Sequence, residues 1–147
     1  GDHRDLHVIV HSFPTRRSSD LLARGLNPRK LITVFGCGGD RDKEKRPIMG
    51  GVAARFSDEI ILTADNPRHE DPLQILAEIR KGCDSASVTE IVDRRSAIQH
   101  AIAMAGPGDI VMILGKGHET TQTLKEHTVP FNDREEAEKA LDALLQK

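Results

Sequence analysis

The stretch Glu59-Ile60-Ile61-Leu62-Thr63-Ala64-Asp65-Asn66-Pro67-Arg68-His69-Glu70-Asp71-Pro72 decides how the rest of the chain is read. Its opening residues, 59–63, are a near-continuous apolar run without alternation, the pattern of a strand covered on both faces. Its last eight gather opposite charges between two prolines. Pro67 fixes its own φ and drives Asn66 out of the helical region, so Asp65, Asn66 and Arg68 lie on a stiff, non-helical turn. An acceptor, an amide and a guanidinium are thereby offered at the carboxyl end of a strand, where an open α/β sheet binds its ligand. The same residues also read more plainly, as an Asn-Pro loop with Pro72 opening the next helix.

Similar apolar runs stand at residues 6–10, 30–35 and 109–114, and the last two end at Gly36 and Gly115. Helix-like segments at 47–56, 72–81, 94–105 and 133–145 lie between or after them. In the third, Ala97, Ile98, Ala101, Ile102 and Ala105 recur at helical spacing, which gives that helix one face to pack on a sheet. The alternation predicts an α/β fold, a Rossmann-like, doubly wound and mostly parallel sheet, with residues 1–147 forming one domain. Residues 87–92 predict a further strand. Residues 127–131 predict a short edge strand, because Pro130 cannot donate to a ladder.

At 147 residues the chain can bury one core of ordinary size. A net charge of -2, with neither Trp nor Tyr, argues against a nucleic-acid surface, which needs basic excess and stacking platforms. Cys37 and Cys83 form no CxxC pair, so a reduced, cytoplasmic protein without a zinc site is expected. No apolar run reaches the roughly 20 residues that span a bilayer, so no membrane partner is expected. The first residue is Gly1 rather than Met, which predicts a fragment with partner domains upstream.

Two other strand ends carry chemistry. The segment Gly36-Cys37-Gly38-Gly39-Asp40-Arg41-Asp42-Lys43-Glu44-Lys45-Arg46-Pro47 combines glycines, which let backbone N–H groups approach an anion, with Arg41, Lys43, Lys45 and Arg46 as positive charge. It fits neither GxGxxG nor the Walker A pattern, and a tight turn with a solvated charge run is the plainer reading. The segment Gly115-Lys116-Gly117-His118-Glu119 again joins glycines to a carboxylate. Glu119 can meet a cationic ligand group or sit at the start of a helix and favour its dipole. His118 has no second metal ligand at suitable spacing and reads as structural. Asp93 reads as an N-cap, and Asn132-Asp133-Arg134-Glu135 as a cap with first-turn acids. In a parallel sheet these loops share one edge, so Arg41, Asp65, Asn66, Arg68, Gly115 and Glu119 can converge on one pocket. Two arginines with two carboxylates suit a zwitterion.

The ordered set of motifs, 36–42 with Lys45-Arg46-Pro47, then Asp65-Asn66-Pro67-Arg68 with Glu70-Asp71-Pro72, then 115–119 and Asp133-Arg134-Glu135, resembles the C-terminal domain of the Mur ligases over residue 30 onward. The resemblance implies ATP-dependent amide formation on UDP-MurNAc-L-Ala-D-Glu, in which the γ-phosphate activates a carboxyl and an incoming amine attacks the acyl phosphate. It further implies that the DNPR motif selects meso-diaminopimelate over L-lysine. Arg41, Asp65, Asn66, Arg68, Gly115 and Glu119 would then hold that amino acid, with Pro67 shaping the site. Arg68 suits the task physically, since diaminopimelate carries a distal carboxylate that lysine lacks.

The departures are as informative. The family's D-Y-A-H-[ST]-P-D motif should follow the first strand, but His11-Ser12-Phe13-Pro14-Thr15-Arg16-Arg17-Ser18-Ser19-Asp20-Leu21 stands there instead. That segment resembles the translated product of a sequencing-library adapter and reads as a non-native replacement. ATP and Mg2+ are bound in the family mainly by a central domain whose Gly-rich loop and carbamylated lysine this chain does not contain, so the chain alone is expected to be inactive. A rival reading from another class is a non-catalytic small-molecule-binding or interaction module on the same fold. A dinucleotide-binding oxidoreductase domain is disfavoured by the missing GxGxxG.

Overall fold

The computed structural model describes residues 6–12, 25–84, 87–116 and 119–146. Among them, β1 (His7–Ser12), β2 (Leu31–Phe35), β3 (Glu59–Leu62), β4 (Ser87–Glu90) and β5 (Ile110–Gly115) form one sheet in the order β1-β5-β2-β3-β4. Every neighbouring pair runs parallel, with Val34 beside Ile61 on one side and Ile113 on the other. Successive residues of β2, β3 and β5 are buried on opposite faces, which is why these runs are apolar without alternation.

The helices α1 (Lys45–Phe56) and α2 (Pro72–Arg80) cover one face, closing a core around Leu31, Phe35, Ile60, Leu62, Met112 and Leu114. The helices α3 (Arg94–Met104) and α4 (Asp133–Leu145) cover the other, over Ile32, Val34, Ile61, Val111 and Ile113. Asp71 caps α2 by accepting from the Leu73 N–H, with Pro72 at the first helical position where its missing donor costs nothing. Asp93 caps α3 through the Ser96 N–H, and Asn132 caps α4 through that of Glu135. The predicted doubly wound α/β architecture is therefore the observed one.

Three expectations change. Among the described residues, the element that comes next after Gly115 is a strand and not a helix. A strand β6 (Thr121–Leu124), which the sequence reading lacked, pairs antiparallel with β7 (His127–Pro130) as a separate hairpin. The segment at 127–131 is thus no edge of the main sheet, and Glu119 stands in a loop before a strand rather than at a helix start. The edge strand β4 is mostly exposed, in keeping with its polar SVTE composition. The strand β1 reaches Ser12, two residues into the adapter-like segment, while residues 13–21 of that segment and His118 lie outside the described residues.

Candidate functional site

Three loops meet at the carboxyl edge of the sheet, and glycine lets their backbones touch. A Cβ on Gly36 would lie 1.9 Å from the Thr63 carbonyl oxygen, and one on Gly39 would lie 1.8 Å from that of Pro67. With no Cβ there, Gly39 donates its N–H to the Asn66 carbonyl at 2.7 Å. The turn after β3 is gripped from its other side by the hairpin. Thr123 N–H donates to Asn66 Oδ1 at 2.9 Å, Gln122 Nε2 donates to the Asp65 carbonyl at 2.9 Å, and Lys125 N–H donates to the Arg68 carbonyl at 2.7 Å. Between these supports Arg68 is held at φ +53, a left-handed conformation that costs a non-glycine residue on the order of 1 kcal/mol or more. Its Nη1 donates to the Gly39 carbonyl at 2.8 Å, which seats the guanidinium against the Gly38–Gly39 loop.

Arg46 ties the same loops from beneath. Almost wholly buried, it donates from Nη2 to the Gly38 carbonyl at 3.0 Å and to Glu70 Oε1 at 2.9 Å, and from Nη1 to Glu70 Oε2 at 3.0 Å and to Glu78. Glu70 also accepts from the Asp40 N–H at 2.7 Å. Arg46 is therefore committed to protein groups and corrects its sequence reading as part of a ligand-neutralising charge run. Its hydrogen bonds, above all, hold the Glu70 carboxyl down at about 2. A carboxylate with a depressed folded value stabilises the fold above its ordinary value near 4.5 and loses that contribution as pH falls toward 2. Urea unfolding from pH 5 down to pH 2 is expected to show this loss in the native chain and a flatter profile in Glu70→Gln; parallel profiles would refute the assignment.

Deeper in, Arg94 and Asp133 form a fully buried pair, with Nε donating to Oδ1 and Nη2 to Oδ2, both at 2.7 Å. Arg94 also donates to the carbonyls of Ala64 and Leu114, each at 3.1 Å, so one side chain joins the ends of β3 and β5 to the start of α4. Lys116, equally buried, donates from Nζ to Asn66 Oδ1 at 2.7 Å and to the Thr121 carbonyl at 3.0 Å, and lies 3.2 Å from Asp65 Oδ1. Burial pulls its pKa down, against the pull of Asp65 upward. The contact with Asp65 is an ion pair without a well-directed hydrogen bond, which leaves a buried carboxylate oxygen with no hydrogen-bond partner.

Above these supports lies a cavity of about 400 Å³ walled by Gly36, Gly38, Arg41, Lys45, Asp65 and Gly115, among others. Arg41 is exposed there and makes no ion pair with a described residue, so its guanidinium is available to a ligand. Gly115, at φ +120, leaves room for Asp65, whose Oδ2 would lie 3.2 Å from a Cβ at that position. Of the predicted residues, Arg41, Asp65 and Gly115 line this cavity. Pro67 packs its carbonyl on Gly39, Asn66 is engaged by Lys116 and Thr123, and Arg68 stands beside Gly38 at the rim. Glu119 is exposed outside the lining, 3.8 Å from Lys116 Nζ. A larger hollow, about 560 Å³, lies between α3 and α4 away from the strand ends, and its Arg95 and Glu136 already pair at 2.9 Å.

Arg46, Arg94, Lys116, Gln122 and Asp133 were missed as site-building residues. For Lys116 a signal existed, since it stands between glycines at a strand end. The charges of Arg94 and Asp133 sit beside true caps, Asp93 and Asn132, and nothing local distinguishes them from a solvated first turn.

Residues 18–117 match the family model described as Mur ligase, glutamate ligase domain. The chain is 51% identical over 134 residues to the UDP-N-acetylmuramoyl-L-alanyl-D-glutamate--2,6-diaminopimelate ligase of Solibacter usitatus, covering 90% of the chain and 27% of that protein. It is 49% identical over 149 residues to the protein of the same name from Thermosynechococcus vestitus, covering 98% and 30%. A solved structure of a ligase of this name superimposes with a TM-score of 0.89 at 39% identity, over 99% of this chain and 31% of the other. The chain thus spans less than a third of the length of these relatives.

Proposed function

The chain belongs to the Mur ligase family through the glutamate ligase domain, and from that premise we propose that it is the C-terminal, amino-acid-binding domain of an ATP-dependent ligase that adds meso-diaminopimelate to UDP-MurNAc-L-Ala-D-Glu in cytoplasmic peptidoglycan precursor synthesis. The relatives named above, which carry this activity in their names, support the reading. The observation that carries it is the cavity's pairing of opposite charges: Arg41, exposed and without an ion pair to a described residue, lines the same pocket as Asp65, whose Oδ1 already faces the Lys116 ammonium at 3.2 Å. That pocket matches a zwitterion, with the arginine for a carboxylate and the aspartate for an ammonium. Arg68 adds a second cation at the rim for a second carboxylate, and Glu119 a second acceptor from the facing loop.

In this reading the domain's own work is to hold the amino acid at Arg41, Asp65, Asn66, Arg68, Gly115 and Glu119, with Pro67 stiffening the turn, and to present its reacting amine to the rest of the ligase. Orienting one reactant in this way removes entropy from the bimolecular step. Among the described residues no group of three or more His, Cys, Asp or Glu could hold a metal ion. ATP and Mg2+ are assigned to other parts of the ligase, and no helix of the described residues is long and apolar enough to cross a membrane. Residues 11–21 we read as a replacement of native sequence within the domain, which resequencing of the source DNA checks.

Calorimetry tests the assignment. The chain is expected to bind meso-diaminopimelate in preference to L-lysine, and Arg68→Ala to lose tenfold or more of that affinity, roughly what one charge-assisted hydrogen-bond pair is worth, at about 1.5–3 kcal/mol. Equal binding of the two amino acids, unchanged by the substitution, would favour a non-catalytic binding module instead.

A further inference from the structure

Lys116 is buried beside the pocket and touches Asp65, which lines the cavity, and Asn66, its neighbour on the turn, without lining the cavity itself. Its three neighbours, Asn66 Oδ1, the Thr121 carbonyl and Asp65 Oδ1, are all acceptors, at 2.7, 3.0 and 3.2 Å. Two of them accept hydrogen bonds and the third faces the nitrogen as an ion-pair partner, an all-acceptor setting that suits an ammonium. The consequence falls on Asn66. Two donors, Lys116 Nζ and Thr123 N–H, converge on one atom of its amide, which must then be the oxygen. Both lone pairs of Oδ1 are used, and the Nδ2 donors make no hydrogen bond to a described residue. A carboxamide can present either end to a ligand, and this one is left with only its donating end.

We propose that Lys116 is a positioning residue that sets the polarity of the pocket: by holding Asn66 Oδ1 it turns the Asn66 Nδ2 donors to the ligand, so that Asn66 and Arg68 together read the distal carboxylate while Asp65 is left to read an ammonium. The inference rests on the reading of this pocket as a diaminopimelate site and adds how that site refuses lysine. Lysine has no distal carboxylate, so its binding would leave donors on both Asn66 and Arg68 unpaired, which costs more than the lost contact alone.

The test compares meso-diaminopimelate with L-lysine by calorimetry on the chain, on Lys116→Met and on Lys116→Arg, with circular dichroism to establish folding. The methionine variant keeps length and removes every donor. It is expected to lose about tenfold in diaminopimelate affinity with little change for lysine, so that the preference collapses, and the arginine variant to restore much of the preference. A folded Lys116→Met that keeps the full preference would overturn the proposal. Should that variant not fold, the native chain decides by NMR: the Asn66 side-chain amide protons shift on saturation with diaminopimelate if they bond to it, and their indifference would overturn the proposal equally. Failure of the native chain to bind diaminopimelate would instead remove the reading of the pocket, and the proposal with it.

Discussion

Arg94→Met is expected to lower the unfolding free energy by about 3–5 kcal/mol, the usual cost of leaving one partner of a buried ion pair alone. The substitution keeps most of the volume but strands the Asp133 carboxylate, which has no exposure to water. It also removes the donors to the Ala64 and Leu114 carbonyls, the two strand ends that frame the pocket. For a domain whose total stability is of the order of 5–15 kcal/mol, this is a large share. Urea denaturation followed by circular dichroism measures it, with Arg94→Met/Asp133→Leu as the second arm. The double variant, which replaces the pair with apolar groups, should be more stable than the single one, since the uncompensated charge is gone. A single variant within about 1 kcal/mol of the native chain would show that the pair is not the joint described here.

Gly39→Ala should damage the site more than the fold. The new methyl would stand 1.8 Å from the Pro67 carbonyl oxygen, so the loop carrying Arg41 and the turn carrying Arg68 must separate. Overpacking of this kind typically costs about 1–3 kcal/mol. Separation also removes the Gly39 N–H bond to Asn66 and the Arg68 bond to the Gly39 carbonyl. Calorimetry is expected to show at least a tenfold loss of diaminopimelate affinity while the far-ultraviolet spectrum stays native. Gly51→Ala is the control. Its Cβ would meet only the Gly82 carbonyl oxygen, at an ordinary 3.5 Å, and alanine favours the interior of α1, so affinity should hold and stability should rise slightly. Equal affinities for the two variants would remove Gly39 from the architecture of the site.

Both predictions turn on contacts between segments distant in the chain, and this marks where reading the residues stops. Strand and helix existence was legible because it is a local property. The uniform apolar runs of β2, β3 and β5 have one explanation, cover on both faces, and Asp71, Asp93 and Asn132 cap helices through neighbours two or three residues away. The hairpin was half seen. His127 to Pro130 reads as a strand, but its partner Thr121–Leu124 is short and polar, and pairing between strands is not written in either one.

What the sequence by itself determined is the α/β class, the location of the glycine- and charge-bearing loops at three strand ends, and the stiff turn at Asp65 to Arg68, since each follows from backbone sterics or from a periodicity of a few residues. What only the tertiary structure decided is which charges are spent and which are available. Arg41 and Arg46 stand five positions apart in one basic run and both border the cavity, yet Arg41 is exposed without an ion pair to a described residue while Arg46 is buried and paired with Glu70 and Glu78. A charge is assigned by its partner and its desolvation, and both depend on residues that meet only after the sheet has brought its loops to one edge.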